Sequence, residues 1–235
     1  LNDIRARTVT LQHAIQAIEQ ARAGPVTEGC VGAGTGTVAF GLKGGIGTSS
    51  RRMPEPFGGY TVGVLVQTNF DGLLTIAGVP IWKKLKLDPF VAESTFNPGS
   101  IMIIAATDAP LSDRNLKRLA RRGLVGLSRT GAGLSNDSGD YVIAFSTAIE
   151  VRRTAARRAT VATVAELPND RMTPLFQAVA EAAEEAVVNS LLQAQSVHSA
   201  KSSIEALDPE VVRRCVPNGA PASGSIRQAR DDKNV

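Results

Sequence analysis

Residues 97–108 read Asn-Pro-Gly-Ser-Ile-Met-Ile-Ile-Ala-Ala-Thr-Asp, a turn former followed at once by an unbroken apolar run. Asn97, Pro98 and Gly99 bend the chain, and the Ile-rich run behind them demands a strand inside a protein core. Ser100 therefore heads a buried strand, directly after a glycine. A hydroxyl at that point has two readings. It is either a serine at a strand edge bonding to its loop, or a nucleophile held on a rigid element and freed as a new N-terminus by cleavage after Gly99.

The second reading carries its own base. A serine hydroxyl needs a proton acceptor before it attacks a carbonyl at neutral pH. An α-amino group, with a reference pKa of about 7.7–8.0, lies close to the optimum for that task. Breaking the Gly99–Ser100 bond places such an amine on the nucleophile itself, and no histidine is required. Gly99 suits the cleavage because glycine tolerates backbone angles that bring the hydroxyl to the preceding carbonyl.

Other functional classes find less support. The chain of 235 residues, 43% of them apolar, suffices for one core, and no linker divides it before its C-terminal tail. Its 26 basic and 22 acidic residues nearly balance. Lys117, Arg118, Arg121 and Arg122 form one basic knot that reads as a solvated helix face. With 4% aromatic residues there is no base-stacking platform, so no nucleic-acid partner is expected. No apolar run reaches membrane-spanning length, so no membrane partner is expected either. Cys30 and Cys215 make neither a disulfide framework nor a metal site. No cluster of ligating residues points to a metal. Leu1 is not an initiator methionine and nothing at the start resembles a signal peptide. The chain thus reads as a fragment lacking upstream sequence, with localisation open and the cytoplasm as the default.

Periodicity predicts the elements. Residues 3–22 place Ile4, Leu11, Ile15 and Ile18 at helical spacing, ended by Gly24-Pro25. Residues 29–49 are glycine-dense, with short β-type runs at 35–42 and after Gly44-Gly45. Two apolar runs, 60–69 and 73–81, flank Asp71-Gly72, a hairpin signal. Residues 82–99 form a loop, and residues 100–107 a strand. Ser112 then caps a helix bearing Leu116, Leu119, Leu124 and Leu127, closed by Gly131. Residues 141–147 form another buried strand, and residues 151–164 hold one more. A helix over 173–197 carries Leu175, Val179, Ala183, Val187 and Leu191 on one face. Residues 1–205 make one domain. Residues 206–235 make a C-terminal helix and a disordered tail beyond Pro217. Helices at the margins and strands between them predict a layered α/β sandwich dominated by antiparallel hairpins.

Several constellations invite a catalytic reading. Gly32, Gly34 and Gly36 look like a dinucleotide loop, but a strand-like segment follows where that fingerprint needs a helix. A crowded turn or a substrate-facing loop fits better. Cys30 reads as a small buried hydrophobe rather than a nucleophile. His13 and His198 lie on terminal segments, far in sequence from any nucleophile. Asn69 closes a strand, where an amide serves either a turn or an oxyanion. Ser138 and Asp140 precede another strand and read as a polar loop in isolation. Together, however, Asn69, Ser100, Ser138 and Asp140 at three strand mouths are the pieces of an acyl-transfer site.

These residues resemble a known family. The segments 29–38 (Gly-Cys-Val-Gly-Ala-Gly-Thr-Gly-Thr-Val), 61–70 (Thr-Val-Gly-Val-Leu-Val-Gln-Thr-Asn-Phe), Gly99-Ser100-Ile101 with Ala106 to Leu111, and Ser135 to Asp140 are similar to those of the DmpA/BapA family. Its members are self-processing serine hydrolases, L-aminopeptidase/D-esterases and β-peptidyl aminopeptidases. The resemblance covers about residues 1–205. It implies a four-layer αββα sandwich, N-terminal-nucleophile-hydrolase-like with different connectivity. It implies self-cleavage between Gly99 and Ser100, with Ser100 as nucleophile and its α-amine as base. Asn69 matches the oxyanion asparagine, and Ser138 and Asp140 match the serine and acid that support Ser100. The implied reaction releases N-terminal residues from peptides, amides or esters through an acyl-enzyme, with no metal or organic cofactor. Relatives assemble into tetramers or larger homo-oligomers, and their longer N-terminal part supplies further active-site residues.

Two alternatives stand beside this reading. Ornithine acetyltransferases share the self-cleaving logic, but use threonine where this chain has Ser100. An inactive fragment or scaffold that never cleaves is the other.

Overall fold

The structure, a computed structural model, describes residues 4–87, 99–198 and 202–216. Its elements run α1 (Leu11–Glu19), β1 (Val38–Ala39), β2 (Leu42–Lys43), β3 (Ile46–Arg52), β4 (Thr61–Asn69), β5 (Thr75–Ile76), β6 (Val79–Pro80) and α2 (Ile81–Leu85). They continue with β7 (Ser100–Thr107), α3 (Asp113–Arg129), β8 (Tyr141–Ser146), α4 (Ala155–Arg158), α5 (Thr173–Leu192), β9 (Val197–His198), β10 (Ser203–Ile204) and α6 (Pro209–Cys215).

One mixed sheet organises the described residues, in the order β3-β4-β7-β8. β3, β4 and β7 pair antiparallel, whereas β8 lies parallel to β7. A parallel pair needs a long crossover, and α3 supplies it. β7, the strand that Ser100 heads, therefore lies inside the sheet, bonded on both edges. Its alternation is strict: Ile101, Ile103, Ala105 and Thr107 are buried, while Ser100, Met102, Ile104 and Ala106 lie half-buried on the other face.

α3 and α5 cover the first face. Ser112 is the N-cap residue of α3, although its hydroxyl turns away to Glu166. Asp113 and Arg129 sit at the ends whose dipole charge they oppose. α5 buries Leu175, Val179, Ala183, Val187 and Leu191 against β3 and β4. Each of these leucines and valines contributes about 1.5–3 kcal/mol by leaving water, and the Ala183 methyl less. Arg51 of β3 reaches Glu181 at 3.3 Å and Glu185 at 2.6 Å, tying the sheet to the helix.

The two helices meet at glycine. A Cβ on Gly126 would lie 2.1 Å from Ala180 O and 2.8 Å from Ala183 Cβ. Alanine would gain about 1 kcal/mol of helix propensity, but backbone in the way cannot yield as a side chain does. Gly126→Ala is expected to lower stability by about 2 kcal/mol on balance, read as a fall of several degrees in Tm. An unchanged or raised Tm would show that the helices separate freely.

Four expectations need correction. Asp71-Gly72 is not a hairpin turn. Both edges of β4 are taken by β3 and β7, and Gly72 bridges Ala132 instead. The hairpin signal lies further on, where β5 and β6 pair around Ala77 and Gly78, both at positive φ. β8 is not a buried strand, since Tyr141, Ile143 and Phe145 are exposed on the face opposite the helices. Residues 151–164 hold no strand but the short α4. The N-terminal helix shrinks to α1, which buries no side chain. The proposed tail beyond Pro217 lies outside the described residues.

Candidate active site

The β4–β7 register sets Asn69 directly opposite Ser100. Paired residues project from the same face of a sheet, so both point away from the helices. Gly99 is crowded rather than strained. Its φ is not positive, and a Cβ there would lie 2.3 Å from Asn69 O and 2.5 Å from Phe70 Cα. Glycine is required at 99 because backbone passes where a side chain would be. The expectation of special backbone angles gives way to close approach.

Three contacts converge on the Gly99–Ser100 junction, where Ser100 is half-buried. Its hydroxyl donates to the Gly99 carbonyl at 2.7 Å. The Gly139 N–H donates to Ser100 Oγ at 3.1 Å and to Gly99 O at 3.3 Å. One amide thus grips both the hydroxyl and the carbonyl of the bond before it. Such a donor stabilises negative charge as it develops on that oxygen.

The amide of Asn69 has a fixed orientation. Val38 N donates to its Oδ1 at 3.1 Å. A backbone N–H can only donate, so the carbonyl oxygen must face Val38 and the NH₂ must turn the other way. No acceptor for that NH₂ is found among the described residues, which leaves a donor on the face of Ser100.

Ser138 and Asp140 flank Gly139. Ser138 Oγ donates to Asp140 Oδ1 at 2.7 Å. Among the described residues neither side chain bonds directly to Ser100. Their contact with it runs through the amide between them. Gly139, which sequence reasoning passed over, is therefore the connecting residue. Its only signal was its place between two polar candidates.

The glycine loop takes the crowded form. Its run 32–36 begins in a 3-10 turn, Gly32–Gly34. A Cβ on Gly34 would fall 2.6 Å from Gly29 O, and one on Gly45 2.5 Å from the same atom. Cys30 is half-buried, with its thiol on Gln195 O at 3.4 Å. Lys43 is fully buried beside this loop. Burial pushes its amino group below the ordinary lysine range, against a smaller upward pull from Cys30. Lys43 was not foreseen, because a lone lysine next to Gly44-Gly45 reads as a loop cation.

The remaining candidates stay apart from Ser100. His13 pairs with Thr10 and His198 with Ser203, both exposed. The basic knot lies on α3 over the helical layer, where Arg118 and Arg122 stack on Phe176 at 5.0 and 4.6 Å. No described helix is long and apolar enough to cross a membrane.

Residues 1–204 match the sequence profile of Peptidase family S58. A curated relative named beta-peptidyl aminopeptidase BapA, from Sphingosinicella microcystinivorans, is 43% identical over 211 residues, 84% of this chain and 53% of its own length. A second of the same name, from Sphingosinicella xenopeptidilytica, is 38% identical over 215 residues, 86% of this chain and 53% of its own. The chain thus spans about half the length of the curated relatives it matches. The fold superposes on an L-aminopeptidase D-Ala-esterase/amidase from Ochrobactrum anthropi with a TM-score of 0.81 at 38% identity, covering 92% of this chain and 59% of that one. That structure is described as a prototype for the serine aminopeptidases and a new variant of the Ntn-hydrolase fold. A β-aminopeptidase from Burkholderia sp. gives 0.80 at 38%, covering 93% and 62%. A protein from Pyrococcus horikoshii gives 0.79 at 44%, covering 91% and 60%. At these identities the α/β, Ntn-hydrolase-like fold is shared. The sheet described above and the α3–α5 pair on it form one β and one α layer.

Proposed function

This chain belongs to peptidase family S58, and from that premise we propose that it carries the nucleophile half of a self-processing serine aminopeptidase. The relatives are named for aminopeptidase, esterase and amidase activities, so the proposed substrates are peptides, aminoacyl amides or esters with a free N-terminal residue. One observation carries the reading. The hydroxyl of Ser100, the carbonyl of Gly99 and the N–H of Gly139 meet within 3.3 Å.

The proposed sequence begins with processing. Ser100 Oγ attacks the Gly99 carbonyl carbon, and the Gly139 N–H with the Asn69 NH₂ holds the resulting oxyanion. Collapse breaks the Gly99–Ser100 C–N bond as the Ser100 nitrogen takes up the proton that Oγ gave up, and water then hydrolyses the Gly99 ester left on Oγ. Ser100 is left with a free α-amine. In each later turnover that amine takes the hydroxyl proton as Ser100 attacks the substrate carbonyl, then returns it to the leaving amine. Water cleaves the acyl-enzyme. Ser138 and Asp140 orient the Gly139 amide from either side and offer a negative charge to the ammonium that forms. Residues 1–205 form the catalytic unit, and the segment beyond Pro217 is assigned no role. Assembly into a homo-oligomer belongs to the same proposal.

Intact mass spectrometry of the whole protein tests the proposal. Two fragments separated between residues 99 and 100 are expected, and a single uncut chain after prolonged incubation would refute processing. Asp140→Asn keeps an acceptor for Ser138 but removes the charge. It is expected to lower kcat by about ten- to a hundredfold with KM nearly unchanged, since the charge acts in the transition state. A change confined to KM would make Asp140 a substrate contact instead.

A further inference from the structure

Among the described residues two cations are buried: Arg51, paired with Glu181 and Glu185, and Lys43, which the chemistry above does not use. Lys43 is fully inaccessible, and no carboxylate partners it among the described residues. An unpaired buried ammonium is costly, and an aliphatic side chain would fill the space without that cost. What the amino group does is gather backbone carbonyls. Lys43 Nζ donates to Gly34 O at 2.8 Å and to Gly44 O at 2.7 Å.

Those two carbonyls bracket the approach to Val38. Thr37 Oγ1 donates to Gly34 O at 3.1 Å, and Gly44 N donates to Thr37 O at 3.1 Å. Val38 comes next, and in the β1–β2 ladder its register partner is Lys43 itself. The backbone of Lys43 is anchored on its other side, where its N–H donates to Glu205 O at 2.7 Å. The loop cannot be held by side-chain packing instead. A Cβ on Gly44 would lie 2.7 Å from Thr68 O, and one on Gly34 would strike Gly29 O. Val38 N then meets Asn69 Oδ1.

We propose that Lys43 is a positioning residue for the oxyanion donor, its amino group clamping Gly34 to Gly44 so that the Val38 amide fixes the orientation of Asn69. Without the clamp the 34–38 segment loosens, the Val38–Asn69 bond lengthens, and the Asn69 amide rotates freely about its terminal torsion. The inference deepens the proposed function and rests on it for the role of Asn69, while the clamp itself is a matter of backbone geometry.

The test uses the whole protein with Lys43→Met, and Lys43→Gln as a second variant that keeps one donor should the first fail to fold. Amide hydrogen exchange is read at Val38 and at the β7 positions Ile103 and Ala105. Val38 exchange is expected to quicken about tenfold or more while the β7 amides keep wild-type rates. kcat is expected to fall about ten- to a hundredfold with KM within about twofold. In an Asn69→Ala background the same substitution should cost little more, because the group it orients is already gone. Wild-type exchange at Val38, or losses that multiply in the double variant, would overturn the proposal. If the wild-type protein never processes, the proposed function fails alone, and the Val38 exchange still decides whether the clamp exists.

Discussion

Ser100→Ala is expected to leave the chain uncut and to abolish turnover of aminoacyl p-nitroanilides, a loss of at least about 10⁴-fold. The substitution removes the attacking oxygen for processing and for every later cycle, so both activities must fall together. It should not unfold the protein. Among the described residues Ser100 Oγ bonds only to Gly99 O and the Gly139 N–H, and the strand behind it is held on both edges. Intact mass, steady-state rates and Tm of one preparation settle the matter. Cleavage at the same bond at the wild-type rate would remove Ser100 from the chemistry.

The second large effect belongs to Asn69. Removing one oxyanion donor costs about 10²–10³ in kcat, or about 2.7–4 kcal/mol. Asn69→Ala is expected to show that loss in processing and in turnover, with KM little changed. Asn69→Asp is the sharper probe. Its carboxylate still accepts from Val38 N, so the contact that fixes the side chain survives. The donor, however, becomes a negatively charged oxygen facing an oxyanion. If Asn69 acts by donation, aspartate must be at least as damaging as alanine. If it acts only by tying down Val38, aspartate should restore activity.

The elements that form the sequence's local signals were legible. The turn before Ser100 and the apolar run behind it make β7. The 3.6-residue spacing of Leu175, Val179, Ala183, Val187 and Leu191 makes α5, every one of them buried. What failed was non-local. Asp71-Gly72 has the chemistry of a tight turn, yet the partners of β4 come from residues 46–52 and 100–107, which no turn propensity encodes. β8 reads Tyr-Val-Ile-Ala-Phe-Ser, apolar on both faces, so its pattern gives no sign that Tyr141, Ile143 and Phe145 lie exposed.

The site divides along the same line. Asn69, Ser100, Ser138 and Asp140 stood out by residue type, by position at strand mouths and by family resemblance. Gly139 acts through its backbone, and every non-proline residue has an N–H, so nothing in its identity marks it. Lys43 differs again. It looks like a surface cation until the fold closes over it.

The bond after Gly99 lies on the seam of the sheet. Severing it leaves β3 and β4 on one product and β7, β8, α3 and α5 on the other. The β4–β7 ladder, the packing of α5 on β3 and β4, and the Arg51–Glu181 contact all cross from one product to the other. The first product would lose the helices that cover β3 and β4, and the second would keep only the β7–β8 pair under α3, with one edge of β7 bare. A molecule cut there is expected to stay together as two halves that co-purify without a covalent link. After denaturation they should regain structure only by complementation, when mixed, and not when refolded separately.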